Sequence, residues 1–308
     1  SMNTYSIEKK IKKNIIQDCR NFKIKSLNII PDAIIYLAAV SNDPMGNKYK
    51  QATEEINFKS CIKIAKEAKK LKIKKFIFAS SCSMYGSAGD KKKKEDDKLN
   101  PLTDYAISKV NSEKTLKKLS SKNFKVIALR FATAAGLSDN LRLDLVFNDF
   151  VANSVLEKKI ILLSNGLSWR PLIHVNDISK SILWSVIYPL KKNFLAVNIG
   201  SEKWNFKIIS LAKKIARIIP NTKLVIKDDN NFDKRSYRVS FNLFRKIAPK
   251  YQPSTDFKKS VIDLVKFLKT EKKNLKNFRN SPKWSRLYRL NYLVKNNTID
   301  KRLYLKND

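Results

Sequence analysis

Apolar runs alternate with amphipathic stretches along most of this chain. The stretch 32–40 is almost continuously apolar and follows Pro31. Such a run predicts a strand buried on both faces, as in the centre of a parallel sheet. In the next segment, 49–71, apolar residues recur at helical spacing with lysines between them, which predicts an amphipathic crossover helix. Before these elements, the apolar pair at 15–16 predicts a short strand that ends at Asp18.

The same alternation continues toward the C-terminus. Strands are predicted at 76–79 and 126–131, on either side of a helix over 104–119 with Asp104 as its N-cap. Strands alternating with long helices predict an α/β fold, with a Rossmann-like doubly wound parallel sheet and a smaller C-terminal α/β region that binds substrate. Further strands are predicted at 160–163, 171–175, 196–199 and 223–226, and further helices at 177–188, 206–219 and 257–268.

The chain of 308 residues is predicted to divide into three parts. Residues 3–165 form the Rossmann-like domain, and residues 166–268 form most of the substrate-binding region, with 171–200 returning to the first sheet. Residues 269–308 form a basic tail, either a docking helix or a partly disordered arm. Within the first part, the sequence KKKKEDDK at 91–98 predicts a charged loop.

Charge narrows the possible partners only slightly. Sixty-four Lys+Arg against 27 Asp+Glu give a formal charge of +37, which favours anionic partners. Because the lysines are scattered and no nucleic-acid-binding motif accompanies them, a basic nucleic-acid-binding protein ranks third among the functional hypotheses. No apolar run reaches the roughly 18 residues of a membrane span. Three separated cysteines predict neither disulfides nor a metal site, and they suit the cytoplasm.

The stretch 76–109 carries the candidate chemistry. Tyr105 and Lys109 lie four positions apart, so they share one face of the predicted helix, and Ser81 at a strand end can lie beside them. A tyrosine with a pKa near ~10 is a poor base at neutral pH unless a nearby cation stabilises its phenolate, and Lys109 supplies that cation. The competing interpretation is a surface tyrosine and a solvated lysine.

Several polar residues directly follow predicted strands. Ser41, Ser81 and Thr133 lie at such carboxyl ends, where open parallel sheets bind ligands, so they are predicted to surround one crevice. His174 is the only histidine, and a structural bond to nearby backbone is favoured over a role in a Ser-His-Asp hydrolase. Cys82 is predicted to be a small core residue.

Five motifs occur in a fixed order: YLAAVSNDP at 36–44, SSCSMYG at 80–86, YAISK at 105–109, LRFATAAG at 129–136 and RPLIHVNDIS at 170–179. Together they resemble the extended short-chain dehydrogenase/reductase family, the NAD-dependent nucleotide-sugar epimerases and dehydratases. RSYRVSF at 235–241 is similar to the family's late phosphate-contacting segment.

The resemblance implies roles for individual residues. Tyr105 would be the catalytic acid/base, Lys109 would hold the nicotinamide ribose and lower the tyrosine pKa, and Ser81 would hydrogen-bond the reacting hydroxyl. Cofactor contacts would come from Asp18, Ala38, Ala39 and Asn57 together with Tyr105 and Lys109, although helix packing explains Asn57 equally well. Substrate contacts would come from Ser83, Thr133, Arg170, Arg235 and Arg238. Guanidinium groups suit a diphosphate, although Arg170 could also be an ordinary ion-pair residue.

The implied activity is epimerisation of a nucleoside-diphosphate sugar through a keto-sugar intermediate, with NAD rather than NADP as cofactor. Where dehydratases of this family carry an Asp-Glu pair, this chain has Cys82 and Ser83, which disfavours elimination of water. The resemblance also implies a homodimer formed through the helices 49–71 and 104–119, and no membrane partner.

One departure from the family pattern is large. The family begins with a strand and a Gly-rich GxxGxxG turn that cradles the pyrophosphate. None of the glycines here precedes Asp18; they are Gly46, Gly86, Gly89, Gly136, Gly166 and Gly200. The expectation is a truncated gene product or a fragment completed by another chain, since a missing central strand exposes its neighbours. The alternative function is a catalytically impaired remnant that binds sugar nucleotides but not NAD.

Overall fold

The structure is a computed structural model that describes residues 14–227, 235–275 and 277–306. Strands and helices alternate along these residues. The strands are β1 (Ala33–Tyr36), β2 (Lys75–Ser81), β3 (Ser87–Lys93), β4 (Lys125–Phe131), β5 (Thr133–Ala135), β6 (Lys159–Leu162), β7 (Trp169–His174), β8 (Phe194–Ile199), β9 (Asn205–Lys207), β10 (Lys223–Ile226) and β11 (Ser236–Val239).

The helices are α1 (Asp43–Lys48), α2 (Lys50–Thr53), α3 (Cys61–Lys70), α4 (Asp104–Leu119), α5 (Val146–Leu156), α6 (Val175–Ile187), α7 (Ile208–Ile218), α8 (Asn242–Ile247), α9 (Phe257–Thr270) and α10 (Arg286–Lys295). A π-helical segment, Glu54–Ser60, joins α2 to α3, so the predicted crossover helix over 49–71 is a composite. None of the described helices is long and apolar enough to cross a membrane.

The main sheet contains four parallel strands in the order β1-β2-β4-β8. The helical segments between β1 and β2 and between β2 and β4 are the crossovers that parallel pairing requires. The prediction of an α/β fold with a parallel sheet is confirmed. Because all four strands run in one direction, their carboxyl ends meet at a single edge, where Ser81 of β2 lies opposite Phe131 of β4.

The N-terminal part differs from the prediction. Residues 14–18 are irregular, so the predicted strand ending at Asp18 is wrong. The Asp18 carbonyl instead accepts hydrogen bonds from the backbone of Asn21 and Phe22, which turns the chain there. β1 forms as predicted but lies at the edge of the described sheet, with Ile35 42% exposed, so its predicted central position is wrong for the residues described.

Helix α4 begins and ends at the predicted residues, but its N-cap residue differs. Thr103, not Asp104, is the N-cap: its hydroxyl accepts a hydrogen bond from the Ala106 backbone at 3.2 Å. Asp104 instead occupies the first helical turn, where a carboxylate interacts favourably with the helix dipole.

The second half of the chain has its own core. Phe147 of α5, Trp204 and Phe257 of α9 pack with ring centroids 5.3–5.9 Å apart. β6 pairs with β10 beside this cluster. Residues 141–162 therefore pack with the later elements of the chain. The boundary at residue 165 stays a prediction.

The predicted charged loop over 91–98 is wrong for its first three residues. Residues 87–93 form β3, which pairs in parallel with β11. β3 itself is mostly exposed, whereas its pairing partner is buried. Tyr237 and Val239 of β11 are 3% and 0% exposed. Lys92 forms a 2.7 Å ion pair with Glu202.

The C-terminal tail docks as a helix, which is one of the two alternatives that its sequence left open. The Tyr49 hydroxyl donates to the Asn291 side chain of α10 at 2.8 Å. Tyr304 follows α10 in the chain, and the Arg20 guanidinium lies 3.3 Å from the centroid of its ring. These contacts attach the tail to the N-terminal half of the chain.

A buried ion pair joins α4 to the main sheet. The Arg130 guanidinium of β4 donates to both carboxylate oxygens of Glu113 at 2.8–3.2 Å, and each side chain is only 6% exposed. Arg130 also donates to the Tyr85 hydroxyl at 3.0 Å and to the Glu95 carbonyl at 2.8 Å. The pair therefore fixes α4 against β4 and the loop after β2.

Removal of one partner should be costly. Glu113→Ala leaves the Arg130 charge buried without its counterion, and we expect a loss of about 3–5 kcal/mol in the free energy of unfolding. Glu54→Ala is the matched control, because Glu54 pairs with Lys59 at the surface and such pairs contribute about 0–1 kcal/mol. Urea denaturation at pH 7 measures both; equal losses in the two variants would contradict the assignment.

Candidate active site

The structure brings the three predicted catalytic residues together at the carboxyl edge of the sheet. The Tyr105 side chain lies beside Ser81, which ends β2, and the interaction with Ser81 lowers the pKa of Tyr105. The Ser81 hydroxyl donates to the Ser83 hydroxyl at 2.9 Å and accepts from the Ser83 backbone at 3.1 Å. Lys109 Nζ lies 5.5 Å from the centroid of the Tyr105 ring. The result is a short row of hydroxyl groups beside a buried ammonium group.

Tyr105 is positioned by close backbone packing. Gly46 in α1 faces the start of α4, and a Cβ added there would lie 3.1 Å from the Tyr105 Cβ and 3.2 Å from its backbone nitrogen. A larger residue at position 46 would therefore push α1 away from α4 or displace Tyr105 itself.

The electrostatic surroundings keep Tyr105 protonated. Burial raises the pKa of Tyr105 to about 12, and the nearby Asp43 carboxylate adds to the shift, while the Ser81 hydrogen bond and the Arg142 charge oppose it. The effect of Lys109 on this pKa stays a prediction, since burial has the largest influence on Tyr105. The spacing of residues along a helix does not reveal burial.

Lys109 is held deep in the protein, at 2% exposure. Its Nζ donates to the Ala79 carbonyl at 2.7 Å and lies 4.8 Å from the centroid of the Phe78 ring. Burial lowers the pKa of Lys109 to about 8, although the neighbouring Cys61 and Glu113 favour its charged form. The alternative of a solvated lysine is therefore wrong.

Two of the predicted cofactor residues lie in the loop after β1, and a third holds that loop in place. Ala38 and Ala39 are half-buried there. The fully buried Asn57 amide accepts from the Val40 backbone at 2.8 Å and donates to the Val40 carbonyl at 3.1 Å. It also donates to the Ser108 hydroxyl at 3.1 Å. Asn57 therefore joins the loop to α4, as the packing interpretation predicts.

Asp18 lies in an ion pair with Arg20. Both carboxylate oxygens accept from the Arg20 guanidinium, at 2.5–3.0 Å. Burial works against ionisation, but the hydrogen bonds and charge of Arg20 outweigh it and lower the pKa of Asp18. Arg20 in turn donates to the carbonyls of Arg302 and Leu303, so Asp18 is tied indirectly to the C-terminal segment.

The three predicted diphosphate-binding arginines gather where β7 meets β11. The Arg170 guanidinium donates to the backbone carbonyls of Trp169 and Arg235 and is 7% exposed. Arg238 lies over the Trp169 ring at 4.7 Å, with a buried Nε atom that has no hydrogen-bond partner among the described residues. Thr133 begins β5 and lies opposite Leu172 of β7.

Asp43 and Arg142 are two site residues that the sequence did not single out. Asp43 pairs with the Arg235 guanidinium and accepts a hydrogen bond from Thr103, and its charge acts on Tyr105. Arg142 donates to the Ser41 hydroxyl at 3.1 Å. Asp43 could have been noticed as a polar residue just after an apolar strand, whereas Arg142 lies in a stretch without periodicity.

Two structural predictions are confirmed. His174 is the N-cap of α6, and its Nδ1 accepts from the Asn176 backbone at 3.2 Å. Burial lowers the pKa of His174. Gly136, with a φ of +94°, passes so close that a Cβ there would lie 2.2 Å from the His174 Nε2. Cys82 is a core residue at 1% exposure.

A family profile described as the NAD dependent epimerase/dehydratase family matches residues 16–200. The chain belongs to the NAD dependent epimerase/dehydratase family. The predicted resemblance is thereby confirmed at the level of the family.

Individual relatives of this chain are distant. A Bacillus subtilis protein named an uncharacterized UDP-glucose epimerase is 26% identical over 190 residues, which cover 60% of this chain and 58% of that protein. The match thus spans little more than half of the relative's length.

Solved structures share the fold over a larger part of the chain. UDP-N-acetylglucosamine 4-epimerase from Methanobrevibacter ruminantium, in complex with UDP-N-acetylmuramic acid, superposes with a TM-score of 0.73 at 22% identity and covers 83% of each chain. UDP-glucuronic acid 4-epimerase from Bacillus cereus, in complex with UDP-glucuronic acid and NAD, superposes with a TM-score of 0.69 at 21% identity, covering 82% of this chain and 80% of that one.

The buried lysine at this site, Lys109, should titrate at an unusually low pH for a lysine. Because its folded pKa of about 8 lies below the ordinary value of 10.5, the unfolded chain binds more protons between these pH values. The contribution of Lys109 to stability therefore rises with pH across that window. Carbon-13 NMR of the lysine ε-carbons should show a titration near pH 8 that disappears in Lys109→Met. If all lysines titrate above pH 10, the described burial of Lys109 is wrong.

Proposed function

We propose that the protein is an NAD-dependent epimerase of nucleoside-diphosphate sugars. The observation that carries this proposal is the row of Ser81, Ser83 and Tyr105 hydroxyls beside the buried Lys109 ammonium group at the carboxyl edge of a parallel sheet. Family membership and the epimerases that share its fold support it.

The residues near Lys109 fit the nicotinamide half of a dinucleotide. An ammonium group has three donors, and Ala79 is the one hydrogen-bond acceptor of Lys109 among the described residues. The remaining donors suit ribose hydroxyls, with Ala38 and Ala39 providing small side chains along the same loop. When bound, NAD supplies the acceptor for a hydride from a sugar carbon and returns that hydride to the opposite face.

Tyr105 transfers the proton. As general base it takes the proton from the sugar hydroxyl while the carbon loses its hydride, which leaves a keto sugar. As general acid it returns the proton to the carbonyl oxygen when the hydride comes back. The Ser81 hydroxyl, which interacts with Tyr105, can orient the reacting oxygen. A phenol with a pKa of about 12 must therefore gain anion stabilisation when ligands bind.

The arginines beside Trp169 suit the substrate diphosphate. The buried Arg238 Nε lacks a hydrogen-bond partner among the described residues, and a phosphate oxygen would provide one. Arg170 and Arg235 are held in place by backbone and by Asp43. The interpretation as an epimerase rather than a dehydratase rests on Cys82 and Ser83, which place no carboxyl group beside Ser81.

One observation favours a second candidate, a remnant that binds sugar nucleotides but not NAD. Asp18, the residue implied to contact adenine, is engaged by Arg20, and Arg20 stacks on Tyr304 of the C-terminal segment. A dinucleotide would have to compete with these contacts. Calorimetric titration with NAD and with UDP-glucose separates the two candidates, since the remnant would bind only the second ligand.

Tyr105→Phe should lower the epimerisation of UDP-glucose by at least 100-fold, because it removes the group that transfers the proton. Its affinity for UDP-glucose, measured by calorimetry, should stay within about twofold of wild type, since the diphosphate contacts remain. Tyr288→Phe, at an exposed site on α10, is the control and should turn over normally. Proton NMR of the product sugar measures turnover; full activity of Tyr105→Phe would refute the proposal.

Dimerisation through the helices over 49–71 and 104–119, and a cytoplasmic location, remain part of the proposed function. The dimer rests on the family resemblance alone, and the location rests on the three separated cysteines.

A further inference from the structure

Two guanidinium groups from distant parts of the chain converge on one hydroxyl in the loop after β1. The Nη1 atoms of Arg142 and Arg286 each donate to the Ser41 Oγ at 3.1 Å. Arg142 belongs to the loop before α5, and Arg286 is the first residue of α10. Two like charges so close repel each other, so this arrangement needs a compensating anion.

The protein itself provides only half of that compensation. Arg142 forms a two-point ion pair with Asp144, at 2.7 and 2.6 Å. Asp144 also accepts from the Asn42 amide at 2.6 Å, so its oxygens are occupied. No carboxylate among the described residues forms an ion pair with Arg286. Two cations and one anion leave one positive charge at this site.

The placement of Arg286 is unfavourable in the protein alone. It begins α10, where the helix dipole disfavours a cation and no acidic residue stands in the first turn. Burial, with a smaller contribution from the neighbouring Arg142, lowers the pKa of Arg286 to about 10, and Asp144 opposes this shift only in part. A residue that breaks local preferences without visible compensation indicates a functional site.

We propose that Arg142, Arg286 and the Ser41 hydroxyl form a binding site for a diphosphate group, and that the C-terminal helix α10 is thereby part of the ligand crevice. Guanidinium groups bind phosphate oxygens in two-point geometry, and Ser41 can donate once an anion replaces it as acceptor. The site lies at the carboxyl edge of the sheet, and the Arg142 charge already reaches Tyr105. A dinucleotide and a nucleoside-diphosphate sugar both carry this group.

This site is separate from the arginines beside Trp169. Its residues come from the loop after β1, the loop before α5 and the tail, and Arg286 lies outside the segment that matches the family. The α10 helix is held over the crevice by the hydrogen bond between Tyr49 and Asn291. Ligand binding should therefore also stabilise the docked tail.

The test is calorimetric titration of the full chain with sodium pyrophosphate, NAD and UDP-glucose. Arg286→Gln should weaken the binding of pyrophosphate and of at least one nucleotide by roughly tenfold or more. Arg286→Lys keeps the charge but not the planar fork, so it should recover part of the loss. Lys295→Gln removes the same charge from an exposed position on the far side of α10 and should bind like wild type.

The two nucleotides distinguish the source of the diphosphate. A loss confined to NAD assigns the site to the dinucleotide, and a loss confined to UDP-glucose assigns it to the sugar nucleotide. Tyr105→Phe retains all three residues and should bind pyrophosphate normally, so this result does not depend on the proposed catalysis. Unchanged affinities in Arg286→Gln, equal losses in Lys295→Gln, or no binding of any probe by wild type would overturn the proposal. Circular dichroism verifies folding, and Arg286→Lys carries the test if the glutamine variant does not fold.

Discussion

The buried ion pair between Glu113 and Arg130 decides how the active-site helix lies on the sheet. Tyr105, Lys109 and Glu113 follow one another at intervals of four residues, so they share one face of α4. Rotation of α4 would separate Glu113 from Arg130 and leave two charges unpaired in apolar surroundings. The helix is therefore held in the orientation that turns Tyr105 toward Ser81 and directs Lys109 under the end of β2.

This orientation has an electrostatic consequence. The same face that pairs Glu113 also buries Lys109, whose charged form is disfavoured there, and Tyr105, whose phenolate is disfavoured there as well. Around them the acids Asp43 and Asp144 are each already paired with an arginine. A crevice that keeps its own acids paired and presents further guanidinium groups is suited to ligands that carry several negative charges. Sites that bury unpaired charges for function reduce the stability of the folded protein.

The sequence predicts the parts of the structure that depend on local pattern. Continuous apolar runs predict β2 and β4, and the spacing of Tyr105 and Lys109 predicts a shared face on α4. It misses what depends on distant partners. β3 reads as a lysine-rich loop because its partner β11 lies more than 140 residues away, and an apolar run looks the same whether β1 is central or at an edge. Burial, and with it the raised pKa of Tyr105, is also a tertiary property. No local sequence pattern predicts that Arg142 and Arg286 both contact Ser41.

The central claim is that Tyr105 moves a proton while a hydride leaves a sugar carbon and returns to it. The most direct measurement is mass spectrometry and NMR of the product formed from UDP-glucose with deuterium on every ring carbon, in the presence of NAD. We expect an epimer that retains deuterium at the inverted carbon, because the hydride never exchanges with water. An epimer that carries solvent hydrogen at that carbon would contradict it.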